Sequence, residues 1–306
     1  MIVVVEVLGR LVFGLANPPL LIEDAEIEYL YAPNQDLLRF GNRVVINRFA
    51  MRSRELDLAE GGNKEIRVLV FGDSVVNGGA LTDQSELATS ILETRWRGDA
   101  RLFVGNISAG SWGPGNQLAY VHRFGFFDST VAIFVFSSHD YWDVPTFAPL
   151  DPSTHPTTAP LSAVGELFFR YAPRYVPRFG KGRSELSHPQ ASGAKQRQNS
   201  AEQIESLLNE ATSSCDSVFC VMWPEQKEAL QDEMKSGYQE IMGIAMAADV
   251  PVVEVSQWMD RHSEDEIRAF YRDAIHPSVE GQLLIADVLV SCLSSSELRS
   301  GFVIPE

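Results

Sequence analysis

Cysteine is nearly absent: Cys215, Cys220 and Cys292 are the only three in 306 residues. Three thiols cannot make a disulfide framework, and no second Cys or His pair stands at zinc spacing, so no metal centre is expected. Cys220 sits inside an apolar run and reads as a small buried hydrophobe. Basic residues are also few, 25 against 41 acidic, giving a formal charge of −16. That balance argues against nucleic acid or an anionic membrane surface as partner, because both are held by clustered Lys and Arg. Gly78-Gly79 lacks the lysine and hydroxyl residue of a phosphate-binding loop. There is no internal repeat and no low-complexity tract.

A long uninterrupted hydrophobic run is missing as well. The chain is apolar from Ile2 to Ile22, but Glu6, Arg10, Asn17, Pro18 and Pro19 break it. A spanning helix needs about 20 apolar residues with few charges, and a secretory signal needs a basic start and a small-residue cleavage site. Neither pattern is written here. Three readings stay open: the stub of a longer anchor, a helix lying in a membrane interface, or a strand and loop packed on the domain. Localisation, cytoplasmic or at the cell envelope, stays open with them.

What is present is an ordinary globular composition, 45% apolar and 22% charged, enough for a sizeable core. Apolar runs at 66–71, 102–107, 131–136, 217–223 and 251–255 read as strands. Helical patterns at 85–96, 116–124, 201–212, 226–248 and 277–293 alternate with them. The run VAIFVF at 131–136 is apolar throughout, as in a strand covered on both faces. Five strands alternating with helices imply a three-layer α/β/α domain with a mostly parallel five-stranded sheet. The domain spans 66–294, preceded by an extension (1–65) and followed by a tail (295–306). Residues 145–200, rich in Pro, Gly and polar side chains, read as an insertion that could form a lid or substrate wall.

In such sheets ligands gather at the carboxyl ends of the strands. The segment VLVFGDSVVNGG, residues 68–79, ends a buried strand on Gly72-Asp73-Ser74. Backbone N–H groups at the start of the following helix favour negative charge there. Ser74 could attack a carbonyl carbon while nearby amides meet the oxyanion, or it could simply cap the helix. A serine nucleophile needs a histidine base, and the base needs a carboxylate. Asp273-Ala274-Ile275-His276-Pro277 supplies both at the last strand-to-helix connection, with Pro277 suited to the first helical position.

Those two blocks, in this order, resemble the SGNH hydrolase superfamily of GDSL-type esterases, lipases and carbohydrate O-acyl-transfer enzymes. The resemblance covers roughly 67–293. It implies a flavodoxin-like sheet, Ser74 as nucleophile, His276 as general base then acid, and Asp273 as its orienting carboxylate. It also implies an oxyanion hole. The first donor is the Ser74 N–H, and the second comes from the block Asn106-Ile107-Ser108-Ala109-Gly110-Ser111, where Ser111 falls on the usual glycine and Gly110 one before it. The third donor is ordinarily an asparagine in Gly-x-Asn-Asp; here Ser137-Ser138-His139-Asp140 puts His139 in its place. A neutral imidazole still donates one N–H, but loss of such a donor costs about 10²–10³ in rate.

No cofactor is implied. The expected substrate is a small-molecule or carbohydrate ester, with the acyl group passed to water by an esterase or to a sugar hydroxyl by an O-acetyltransferase. The substitution at His139 keeps a third reading open, a non-catalytic domain binding glycan or a partner. Trp112, Tyr141 and Trp142 flank the middle blocks and could stack on a sugar or pack in the core. His122, His155, His188 and His262 lie in patterns that suit the surface. The lead-in segments at 31–35 and 47–52 resemble those ahead of the serine block in some bacterial members linked to envelope polysaccharide.

Overall fold

The computed structural model describes residues 2–58, 65–171 and 194–294; the tail and His188 lie outside them. The chain opens with α1 (Ile2–Phe13) and two antiparallel hairpins. These are β1 (Leu21–Asp24) with β2 (Glu28–Tyr31), then β3 (Gln35–Arg39) with β4 (Asn42–Ile46). The alternating unit follows: β5 (Ile66–Gly72), α2 (Ser74–Asn77), α3 (Ala88–Arg95), β6 (Leu102–Ser108), α4 (Pro114–Phe124) and β7 (Val131–Phe136). Next come α5 (Ala163–Glu166), α6 (Ala194–Ser214), β8 (Ser217–Met222), α7 (Gln226–Gln231), α8 (Ser236–Ala247) and β9 (Val252–Glu254). Then α9 (Ser256–Met259), α10 (Glu264–Ala269) and α11 (Val279–Ser294) close the described chain.

Strands β5 to β9 form one parallel sheet in the order β6-β5-β7-β8-β9. This is the doubly wound flavodoxin-like arrangement, in which the first strand lies between the second and third. Side-chain alternation along β5 divides the core. Leu69 and Phe71 pack with α4, α6 and α8. Val68 and Val70 pack with α3 and α11 on the opposite face. Both faces are thereby covered, which is why β7 reads as an unbroken apolar run and β5, β6 and β8 as largely apolar ones.

Three local departures from the sequence pattern have physical causes. The helix expected over 226–248 is two helices, parted at Asp232, whose φ of 51° is left-handed. The buried Glu228 carboxylate holds the break by accepting the N–H of Glu225 (2.7 Å) and of Lys235 (2.8 Å). The last helix starts at Val279 rather than at Pro277, with Ser278 Oγ accepting the Gly281 N–H at 3.2 Å. The hairpins of the extension carried no strand signal. The β3–β4 turn places non-glycine Phe40 at φ 54° beside Gly41 at 85°, a mirror-image turn ordinarily marked by Asn-Gly.

The described part of the 145–200 segment packs on the extension. Leu21 N–H donates to the Pro156 carbonyl (2.9 Å), and Glu28 accepts the N–H groups of Thr146 (2.8 Å) and Phe147 (2.9 Å). Arg39 on β3 makes a fully buried ion pair with Glu166 on α5. Glu166 also accepts the Ala16 N–H at 2.6 Å, and Arg39 donates to the Gly14 carbonyl at 2.7 Å. Among the described residues no helix is long and apolar enough to cross a membrane.

Candidate active site

The serine stands where it does because of the residues on either side. Gly72 ends β5 against α2: a Cβ there would lie 2.4 Å from Val76 Cγ2, so only glycine lets the helix fold back on its strand. Asp73 caps α2 by accepting the Val75 N–H at 2.8 Å, which leaves Ser74 as the first helical residue. Gly78, at φ 70°, ends the helix after a single turn.

His276 and Asp273 arrive on the turn before α11. Asp273 Oδ1 accepts the N–H groups of Ile275 and His276, both at 2.9 Å, and folds the turn around its own carboxylate. His276 Nδ1 lies 2.8 Å from Asp273 Oδ2, and Nε2 lies 2.9 Å from Ser74 Oγ. Serine, imidazole and carboxylate therefore form one continuous hydrogen-bonded chain. Burial raises the Asp273 pKa, but the two backbone donors and the imidazole outweigh it and hold this carboxyl below its ordinary value.

The turn is braced by residues that sequence reading did not single out. Trp223, just past β8, donates its indole N–H to the Ile275 carbonyl (2.9 Å), and Gln226 N–H reaches the Ala274 carbonyl (2.9 Å). Arg52 is fully buried and donates to the carbonyls of Asn77, Gly79 and Thr82, the last at 2.7 Å. It thus clamps the loop that leaves the serine helix. Burial pushes its pKa down to about 10. Arg52 lies in the polar lead-in, and what marks it is a function of chain path alone.

The two middle blocks leave the sheet at the same edge. Register pairs Gly72 with Ser108, and Phe71 with both Ile107 and Phe134. Asn106 is wholly buried and ties the serine helix to β6, donating to the Val76 carbonyl at 2.9 Å. Gly110 and Ser111 follow in a half-buried loop, anchored by Tyr29, whose hydroxyl donates to the Gly110 carbonyl. Ser111 has φ 61°. This left-handed conformation is the physical reason a glycine suits the position.

His139 does not stand free. Its Nε2 lies 3.0 Å from Asp73 Oδ2, an oxygen that is also 3.1 Å from Ser74 Oγ. Its Nδ1 faces Glu225 Oε1 at 3.8 Å, and Asp140 Oδ1 lies 4.0 Å from Nε2. Burial lowers the His139 pKa, yet the charges of Asp140 and Asp73 and the contact with Glu225 carry it well above its ordinary value. Asp73 is held below its ordinary value: burial raises it, and the bond to His139 outweighs that. Asp140 goes the other way, raised by burial and by the Asp73 charge. The imidazolium is the form these carboxylates favour. Asp73, His139 and Asp140 also present one ligand atom each within 4.8 Å of one another, a donor set that a divalent cation could take in place of the proton.

Of the aromatics near these blocks, Trp112 and Tyr141 are core residues and only Trp142 is partly exposed. His122 pairs with Glu210 at 2.8 Å on the surface, while His155 and His262 pack edge-on against Tyr29 and Phe270.

No family model and no curated protein matches this sequence. Among solved structures the chain is similar to a lipase/acylhydrolase from Enterococcus faecalis, at 13% identity and a TM-score of 0.45 over 79% of this chain and 99% of that one. It is similar to a catalytic mutant of an acetylxylan esterase from Geobacillus stearothermophilus, at 12% identity and a TM-score of 0.47 over 79% of this chain and 98% of that one. It is also similar to LAE5, an α/β hydrolase enzyme from the metagenome of Lake Arreo, Spain, at 12% identity and a TM-score of 0.45 over 74% and 94%. Identities this low leave the reading of the site to its own geometry.

Proposed function

We propose that this chain is an SGNH-type serine hydrolase that cleaves an O-acyl ester through an acyl-enzyme on Ser74. The observation that carries the reading is the unbroken chain from Ser74 Oγ through His276 to Asp273. In the proposed cycle Ser74 Oγ attacks the acyl carbon as His276 Nε2 takes its proton. Asp273 holds the Nδ1–H and stabilises the imidazolium. The oxyanion is met by the N–H of Ser74 and an N–H from Gly110 or Ser111, and by His139 once its Nε2 turns from Asp73. His276 returns the proton to the leaving alcohol, and the acyl group is then passed to water by the same steps in reverse.

The resemblance of the 31–35 and 47–52 lead-ins to those of envelope-polysaccharide members supports a carbohydrate as the alcohol, and acetyl as the acyl group. A sugar hydroxyl in place of water makes the same residues an O-acetyltransferase. The test is release of p-nitrophenol from p-nitrophenyl acetate by the wild type beside Ser74→Ala, with mass spectrometry of the acyl adduct and a screen of acceptors that discharge it. Equal release by both proteins would leave only a binding domain.

A further inference from the structure

Helix α1 is built inside out. At about 100° per residue, Val3, Val4, Leu8, Leu11 and Val12 spread over about half of its circumference. All five are exposed, from 51% at Leu8 to 74% at Val3. Glu6 lies on the protein-facing side, and Arg10, 45% exposed, at the edge of the apolar arc. Glu6 accepts the N–H groups of Ala163 (2.9 Å) and Val164 (3.0 Å) at the start of α5. Arg10 donates to Glu6 at 2.6 Å and to the Leu161 carbonyl at 2.7 Å. Gly9 sits between them against Ala163, where a Cβ would come within 2.9 Å of that residue's Cβ. A helix on a water-exposed surface shows the reverse polarity. The segment on which α1 rests continues the pattern, with Leu161 98% and Phe169 85% exposed.

We propose that α1, with Leu161 and Phe169 beside it, seats in the hydrocarbon–headgroup boundary of a lipid bilayer. A flat protein partner covers about 100° of a helix surface, whereas the apolar arc of α1 is roughly twice as wide, which suits a medium that wraps it. Glu6 is engaged with the protein, and Arg10 is paired with Glu6 and the Leu161 carbonyl; the exposed part of Arg10 lies at the edge of the arc, where a long basic side chain reaches the headgroup level. The twelve residues reach about 18 Å against about 30 Å of hydrocarbon, so α1 by itself lies in the boundary rather than across it. With a net charge of −16, attachment is hydrophobic, and lipid charge does not drive it. This inference is independent of the proposed reaction.

The test is co-sedimentation of the full chain with phosphatidylcholine vesicles, with and without phosphatidylglycerol, at low and high salt. The expected result is binding to both vesicle types that salt does not release. The Val4→Asp/Leu8→Asp/Leu11→Asp variant should bind at least about tenfold more weakly while keeping the wild-type circular dichroism and melting temperature. Should that variant misfold, Leu161→Asp/Phe169→Asp must show the same loss. No binding by the wild type, binding only to anionic vesicles with release by salt, or a concentration-dependent dimer with no vesicle binding would each overturn the proposal.

Discussion

Ser74 Oγ and His276 Nε2 stand 2.9 Å apart although 202 residues separate them in the chain. A pair in direct contact that passes one proton acts as a unit, so losses from removing either member do not multiply. Ser74→Ala and His276→Ala should each lower kcat on p-nitrophenyl acetate by about 10³-fold or more, and the double variant should be no slower than the worse single one. A double variant slower by the product of the two factors would mean that the groups act independently.

Asp273 has two tasks that one substitution separates. Its Oδ1 folds the turn by accepting the Ile275 and His276 N–H groups, and its Oδ2 holds the His276 ring. Asp273→Asn keeps an acceptor for the turn but offers the ring an N–H, which favours the wrong tautomer. The melting temperature should stay within about 3 °C, while kcat falls by about 10²–10⁴-fold. The fall should sit towards the lower end, because the carboxylate is half exposed. Unchanged turnover would remove Asp273 from the mechanism.

His139 carries a stability signature of its own. Its folded pKa lies above the unfolded value of about 6.5. The stability it contributes is therefore fully present below about pH 6.5 and is lost as pH rises through the higher folded value. Replacing the cluster by neutral amides, His139→Gln/Asp140→Asn, removes that dependence. The melting-temperature gap between wild type and this double variant should narrow as pH rises above about 6.5. A gap that stays constant would mean that His139 is neutral in the fold. On turnover, His139→Ala should be slower than His139→Asn, which retains a donor; the opposite order would remove His139 from the oxyanion hole.

Arg52 is buried to 1% exposure and binds three backbone carbonyls of the loop after the serine helix. Arg52→Met keeps the bulk of the stem but leaves those carbonyls without donors in a dry site. The cost should be about 3–5 kcal/mol in urea unfolding, and Arg52→Lys should recover only part of it, because a single ammonium cannot reproduce the fork. A loss under about 1 kcal/mol would mean that water replaces the guanidinium.

How much of this was legible in the sequence depended on whether a residue's partner was local or distant. The sheet was readable because strands covered on both faces are mostly apolar: the run at 131–136 is β7 to the residue. Ser74, Asp273 and His276 were readable as candidates because the proposed chemistry fixes their types and spacings: a hydroxyl at a strand end, and a carboxylate one short turn from an imidazole, which the fold brings together. The hairpins at 21–46 were not, because four- and five-residue strands with exposed alternate positions carry too little hydrophobic pattern. Arg52, Trp223 and Glu225 escaped for another reason. Each acquires its role from a contact made only when separated segments meet, such as the Trp223 indole on the Ile275 carbonyl, and no local spacing announces it. His139 was legible as a departure from the asparagine, but not the carboxylates that fix its proton.

Ser111 offers the sharpest separation of backbone from side chain at this site. Its φ of 61° puts a side chain in left-handed conformation, at a cost of about 1–2 kcal/mol relative to the ordinary region. If its contribution to the oxyanion hole is the backbone N–H, the hydroxyl is dispensable and the Cβ is a burden. Ser111→Gly should then hold kcat within about threefold of wild type and leave the melting temperature equal or higher, since relief of strain outweighs the roughly 0.5–1 kcal/mol lost to a more flexible unfolded chain. Ser111→Val keeps the same N–H but places a β-branched residue at positive φ. It should therefore distort the loop and slow turnover about tenfold or more, the order of a weakened oxyanion donor. A tenfold loss in Ser111→Gly, with the fold intact, would show instead that the hydroxyl itself touches the reacting ester.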